Sequence, residues 1–119
     1  MKTIFIVDDS DTNLATAEEA LEDYYRVMTL PSAAKMFSLL EKMTPDLILL
    51  DIEMPVMNGF DALEKLKTNN SWAVIPVIFL TGTTDASIEK RSSELGAAGI
   101  ITKPFSSSVL LDRIKSQIG

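Results

Sequence analysis

The chain is expected to fold as an α/β domain, a (βα)5 doubly wound parallel sheet of five strands covered by helices on both faces. Three observations predict this. Continuous aliphatic runs such as Ile4-Phe5-Ile6-Val7 and Leu47-Ile48-Leu49-Leu50 are too short for helices and suit strands buried on both faces. Between such runs lie segments with apolar residues at helical spacing. The connections are a few residues long and rich in Ser, Asn, Gly and Pro. Alternation of this kind implies parallel strands joined by right-handed crossovers.

Ile4–Val7 is the first strand, ending in Asp8-Asp9. Ser10 and Asp11 are good N-caps for a helix with Leu14, Ala17, Leu21 and either Tyr24 or Tyr25 inward. Arg26–Leu30 alternates more, as a strand near an edge does. Pro31-Ser32 caps a helix burying Ala33, Met36, Phe37 and Leu40, which Thr44-Pro45 stops. The third strand, Leu47–Leu50, runs straight into Asp51, and Pro55 and Asn58-Gly59 force a loop after it. A helix from about Phe60 buries Phe60, Leu63 and Leu66 and ends at Asn69-Asn70-Ser71. Trp72 is a partly buried packing residue in the connection. Pro76–Leu80 is the fourth strand, ending in Thr81-Gly82. A mostly solvated helix from about Thr84 to Leu95 carries Ile88 and Leu95 and stops at Gly96. Gly99–Thr102 is a short fifth strand before Lys103-Pro104-Phe105. Ser106–Ser108 caps a last helix bearing Val109 or Leu110, Leu111, Ile114 and Ile118. No repeat or linker interrupts the pattern, so residues 1–119 are expected to form one domain.

The chain holds neither cysteine nor histidine. That excludes disulfides, thiolate or imidazole metal sites and Ser-His or Cys-His catalysis. A net charge of −6 argues against a face that binds nucleic acid. No apolar run approaches the roughly 20 residues of a membrane span, and the N-terminal run is too short for a signal peptide. A soluble, cytoplasmic protein with no membrane partner is expected.

Taken alone, Asp51 is as well read as a turn- or helix-capping acid. The other strand ends change that reading. The first strand delivers Asp8 and Asp9, the third Asp51, the fourth Thr81 and the fifth Lys103. All carboxyl ends of a parallel sheet share one edge. With strand order 2-1-3-4-5, strands one and three meet at the topological switch point, setting Asp8 and Asp9 beside Asp51. Three close carboxylates repel, and Lys103 supplies only one positive charge. The deficit favours a hard divalent ion with oxygen ligands, and Mg2+ suits a site with few carboxylates.

Val7-Asp8-Asp9, Leu50-Asp51-Ile52-Glu53-Met54-Pro55-Val56-Met57-Asn58-Gly59, Thr81-Gly82 and Lys103-Pro104-Phe105 together resemble the receiver domain of two-component response regulators, of the chemotaxis-regulator type, over the full length. The resemblance implies a flavodoxin-like sheet and makes Asp51 the phosphoacceptor. Its donor would be the phosphohistidine of a sensor histidine kinase or phosphotransfer protein, or a small acyl phosphate. The resemblance further implies Mg2+ held by Asp51, Asp9 and the main-chain carbonyl of Glu53, with Asp8 on a coordinated water. Lys103 would pair with a phosphoryl oxygen, Thr81 would donate its hydroxyl to another, and Gly82 would let main-chain N–H groups approach. The Lys103–Pro104 bond is expected to be cis. Glu53 and Thr83 would tune the phosphoryl lifetime. Helix four, strand five and helix five would form the output face toward an output domain or partner, and a homodimer stays open. The family usually carries an aromatic residue where this chain has Ile100. A β-branched aliphatic cannot repeat an aromatic swing, so Ile100 is expected to stay packed while the loop and helix move.

Other functions fit less well. A phosphohydrolase of the haloacid dehalogenase type wants a second Asp where Glu53 stands, and a cap domain. A flavin module would meet three acids where its phosphate should lie. A phosphorylation-independent interaction domain is the remaining alternative, kept by Ile100. The receiver is then a switch that catalyses its own phosphorylation and dephosphorylation, either alone or as part of a longer regulator.

Overall fold

A computed structural model describes all residues 1–119. Five strands alternate with five helices: β1 Thr3–Val7, α1 Asp11–Leu21, β2 Arg26–Leu30, α2 Ala33–Leu40, β3 Leu47–Asp51, α3 Gly59–Lys67, β4 Val77–Thr81, α4 Ala86–Glu94, β5 Gly99–Thr102 and α5 Ser107–Ile118. The strands form one parallel sheet in the order β2-β1-β3-β4-β5. This is the flavodoxin-like arrangement expected.

The continuous aliphatic strands divide their side chains between two cores. Leu47 and Leu49 of β3 join Ile4 and Ile6 of β1 under α1 and α5. Ile48 and Leu50 join Phe5, Val7 and Phe79 under α2 and α3. Burying one such side chain contributes about 1.5–3 kcal/mol, and β1, β3 and β4 are buried along their whole lengths. β2 is partly exposed and lies at the edge, as its alternation implies. Just before β3, Asp46 Oδ2 accepts the Thr3 N–H at 2.7 Å and anchors the strand's start to β1.

Each helix starts on a polar side chain that accepts a backbone N–H: Ser10, Ser32, Asn58, Asp85 and Ser106. Tyr25 and Leu110 are the buried members of their pairs, whereas Tyr24 and Val109 are exposed. Trp72 is partly buried and packs on Phe37, with ring centroids 5.6 Å apart.

The helix limits differ from expectation in two places. α2 ends at Leu40, before Thr44-Pro45, because the chain then runs out to bring Asp46 to Thr3. α4 starts at Ala86 because Asp85, not Thr84, caps it. Its buried residue is Ser92, not Ile88 or Leu95, which are half-buried. The Ser92 hydroxyl donates to the Ile88 carbonyl at 2.8 Å, which lets a polar side chain sit inside. No helix is long and apolar enough to cross a membrane.

Candidate functional site

The sheet register fixes where the polar strand ends fall. Val7 lies opposite Leu50, so Asp8 follows beside Asp51. Asp51 lies opposite Leu80, so Thr81 follows one step on. Thr81 lies opposite Thr102, and the Lys103 N–H donates to the Thr81 carbonyl at 2.8 Å, carrying the ladder one residue further. Five side chains from four strands are thereby delivered to one edge.

Asp51 and Asp8 are buried; Asp9 is exposed beside them. Carboxylate oxygens of Asp8, Asp9 and Asp51 lie within 4.8 Å of one another. Lys103 Nζ bridges the two buried acids, 2.9 Å from Asp8 Oδ2 and 3.0 Å from Asp51 Oδ1. The Lys103–Pro104 bond is cis. The loop after each strand folds back on its acid: the Ser10 N–H donates to Asp8 Oδ1 at 2.9 Å, and the Glu53 N–H to Asp51 Oδ1 at 3.2 Å.

The charges do not balance, and the pKa shifts express it. Burial pushes the Asp51 carboxyl up to about 7, and the Asp8 charge adds to the push, against hydrogen bonding from Lys103. Burial alone would lower the Lys103 ammonium, but Asp8 and Asp51 more than offset it and raise it. Asp8 Oδ2 is buried, and the Lys103 ammonium at 2.9 Å is its close partner. Three clustered carboxylates with one ammonium between two of them, an all-oxygen donor set and a surplus of negative charge fit a hard cation such as Mg2+.

Thr81 is buried, and its hydroxyl is already engaged. It lies 2.8 Å from Glu53 Oε1 and 2.8 Å from the Thr83 carbonyl, and accepts the Thr83 N–H at 3.2 Å. The Glu53 side chain therefore reaches Thr81, a contact that sequence reasoning missed. The pair is 28 residues apart in sequence, and no spacing signal links them. Thr83 itself is exposed. Gly82 has no protein atom within 4 Å of where a Cβ would stand, so no neighbour within the fold requires a glycine there. The glycine that matters sterically is Gly59, where a Cβ would fall 2.5 Å from the Asp51 carbonyl oxygen and 2.8 Å from Ile52 Cα. Ile100 sits on β5 opposite Phe79, partly buried against the core beneath α2 and α3. Met54 is buried in that core and Met57 packs against it, as loop and core packing residues.

The family model of the response regulator receiver domain matches residues 4–115. Among curated proteins, a probable cyclic di-GMP phosphodiesterase of Vibrio cholerae is 39% identical over 116 residues, covering 98% of this chain but 26% of the relative. The polar-differentiation response regulator DivK of Brucella ovis is 30% identical over 119 residues, covering 99% of this chain and 97% of the relative. Among solved structures, the Vibrio cholerae chemotaxis protein CheY4 superposes with a TM-score of 0.94 at 27% identity, covering 99% of each chain. The chain thus spans about a quarter of the Vibrio phosphodiesterase and nearly all of DivK.

Proposed function

The chain belongs to the response regulator receiver domain family, and we propose that residues 1–119 act as one phosphoreceiver, with Asp51 as the acceptor. An Asp51 carboxylate oxygen attacks the phosphorus of a phosphohistidine or an acyl phosphate. The new P–O bond forms as the P–N or P–O bond to the donor breaks, and the imidazole or carboxylate leaves. The observation that carries this reading is the buried Asp51 carboxylate at the tip of β3, with the Lys103 ammonium 3.0 Å away.

Each residue of the site has a role that its position supports. Lys103, held between Asp8 and Asp51, is a point charge ready to pair with an incoming phosphoryl oxygen. Thr81 supplies a hydroxyl donor at the neighbouring strand end. Asp8, Asp9, Asp51 and the main-chain carbonyl of Glu53 would hold Mg2+, which when bound neutralises negative charge on the acids and the phosphoryl group. Glu53 and Thr83 border the site and would set the phosphoryl lifetime. The chain is a switch and not a free-standing metabolic enzyme: it catalyses its own phosphorylation and dephosphorylation.

The phosphoryl group adds about −1.5 to −2 charges at the sheet edge. That charge draws Thr81 and the loop leading to α4, so α4, β5 and α5 form the output face. A sensor histidine kinase or phosphotransfer protein is the donor partner, and an output domain or second protein the receiver of the signal. Ile100 stays packed during the change. Mass spectrometry after incubation with acetyl phosphate and Mg2+ tests the core of this reading. One added phosphoryl group, absent in Asp51→Asn, is expected; no mass shift in the wild-type chain would refute it.

A further inference from the structure

The Thr81 hydroxyl carries one proton, and two acceptors stand within reach of it, Glu53 Oε1 and the Thr83 carbonyl, each at 2.8 Å. Glu53 is an exposed residue of the loop after β3, two residues past Asp51. Its carboxylate pairs with no lysine or arginine. The Thr81 contact is therefore its tie to the rest of the protein, and it links the loop after β3 to the tip of β4.

Resting on the reading of Asp51 as the phosphoacceptor, we propose that Glu53 is a positioning residue that latches Thr81 in the unphosphorylated chain. Its carboxylate holds the hydroxyl, and a phosphoryl group on Asp51 must win that hydroxyl from it. The two acceptors carry the same sign of charge, so they cannot share the site cheaply. The Thr83 carbonyl, also 2.8 Å away, is a neutral and weaker acceptor than a carboxylate, so Glu53 is the competitor that the phosphoryl oxygens must displace. As the phosphoryl group arrives, it repels the Glu53 carboxylate and offers its own oxygens to Thr81. The link between the loop after β3 and the tip of β4 breaks in the same step. The latch deepens the resting state and makes release of the loop before α4 conditional on the acceptor's charge.

Beryllofluoride with Mg2+ is a suitable probe, read by isothermal titration calorimetry. Glu53→Ala keeps the main-chain carbonyl assigned to the metal and removes the competing acceptor. It is expected to tighten beryllofluoride binding roughly two- to tenfold, the worth of about one hydrogen bond. Part of that gain is simple removal of a negative charge. In a Thr81→Val background, only that charge part should survive, so the gain from Glu53→Ala must shrink. Glu53→Gln, which keeps an acceptor oxygen without the charge, should fall between wild type and Glu53→Ala. A second readout needs neither ion: in the free chain, Glu53→Ala should shift the amide resonance of Thr83, whose N–H donates to the Thr81 hydroxyl at 3.2 Å. Equal gains in both backgrounds, or an unmoved Thr83 amide resonance, would overturn the latch and leave the phosphoacceptor reading standing. A wild-type chain that takes up neither beryllofluoride nor a phosphoryl group overturns that reading, and the latch with it.

Discussion

Val56 has a positive φ of 69°, the only non-glycine residue that does, and its side chain is wholly exposed. A β-branched residue in that region sets its Cβ against the following carbonyl, at about 1–2 kcal/mol, and no burial offsets the cost. Val56→Asn, whose side chain tolerates the conformation, should raise stability by about 0.5–1 kcal/mol. A higher urea midpoint at unchanged slope would show it. Asp51 leaves a pH signature. Its folded pKa of about 7 lies above the unfolded value of about 3.9. Between those values the folded chain keeps a proton that the unfolded chain has released, so stability falls as pH rises from about 4 to about 7. Asp51→Asn should flatten that slope in urea unfolding without Mg2+. Identical slopes in the wild-type chain and Asp51→Asn would contradict the raised pKa. Asp8, Asp9, Asp51, Thr81 and Lys103 were legible as a group because parallel topology alone sends strand tips to one edge. The Glu53–Thr81 contact was not, because it depends on the path of an irregular loop and the rotamer of an exposed side chain.

The β3–α3 unit carries the tightest packing near the site. The Gly59 N–H donates to the Ile52 carbonyl at 2.9 Å, and α3 begins against the backbone that bears Asp51. Gly59→Ala has no room, since the obstructing atoms are main chain, and should cost about 1–3 kcal/mol. It should also slow phosphoryl uptake, because relief requires moving the Asp51 backbone. Gly82→Ala meets nothing and should keep wild-type stability to within about 0.5 kcal/mol. Thermal unfolding of the two variants side by side separates these outcomes. From sequence, Gly82 was the glycine singled out for close approach, because the family resemblance sets its main chain beside the phosphoryl group. Close approach at Gly59 comes from a tertiary fold-back that no local pattern announces. α4 was the least legible helix for a related reason. It presents few apolar residues, and its inward position is taken by Ser92, whose hydroxyl is satisfied within the helix itself.

At the scale of the molecule, the acidic cluster opposes the two cores. The cores stabilise the sheet, while the buried acids leave it short of positive charge at one edge. A cation that binds only the folded chain should therefore stabilise the whole domain, by about 1.4 kcal/mol at tenfold excess over Kd. Asp9→Asn should weaken that Mg2+-dependent rise in melting temperature while changing the metal-free value little, because Asp9 is exposed. The strand order, the layers and most inward helix faces could be read in advance, since continuous aliphatic runs and helical spacing are whole-element signals. Those same runs leave one matter open. Leu47, Ile48, Leu49 and Leu50 are interchangeable in polarity, so sliding β3 by one residue would trade one aliphatic set for another at small hydrophobic loss. Asp46 and Asp51 bracket the run, the first tied to Thr3 and the second to Lys103. A slip would tear one acid from its partner and drag the other between greasy layers. The charges flanking β3 thus serve as alignment pins, and replacing both with neutral residues should let misregistered forms accumulate during refolding.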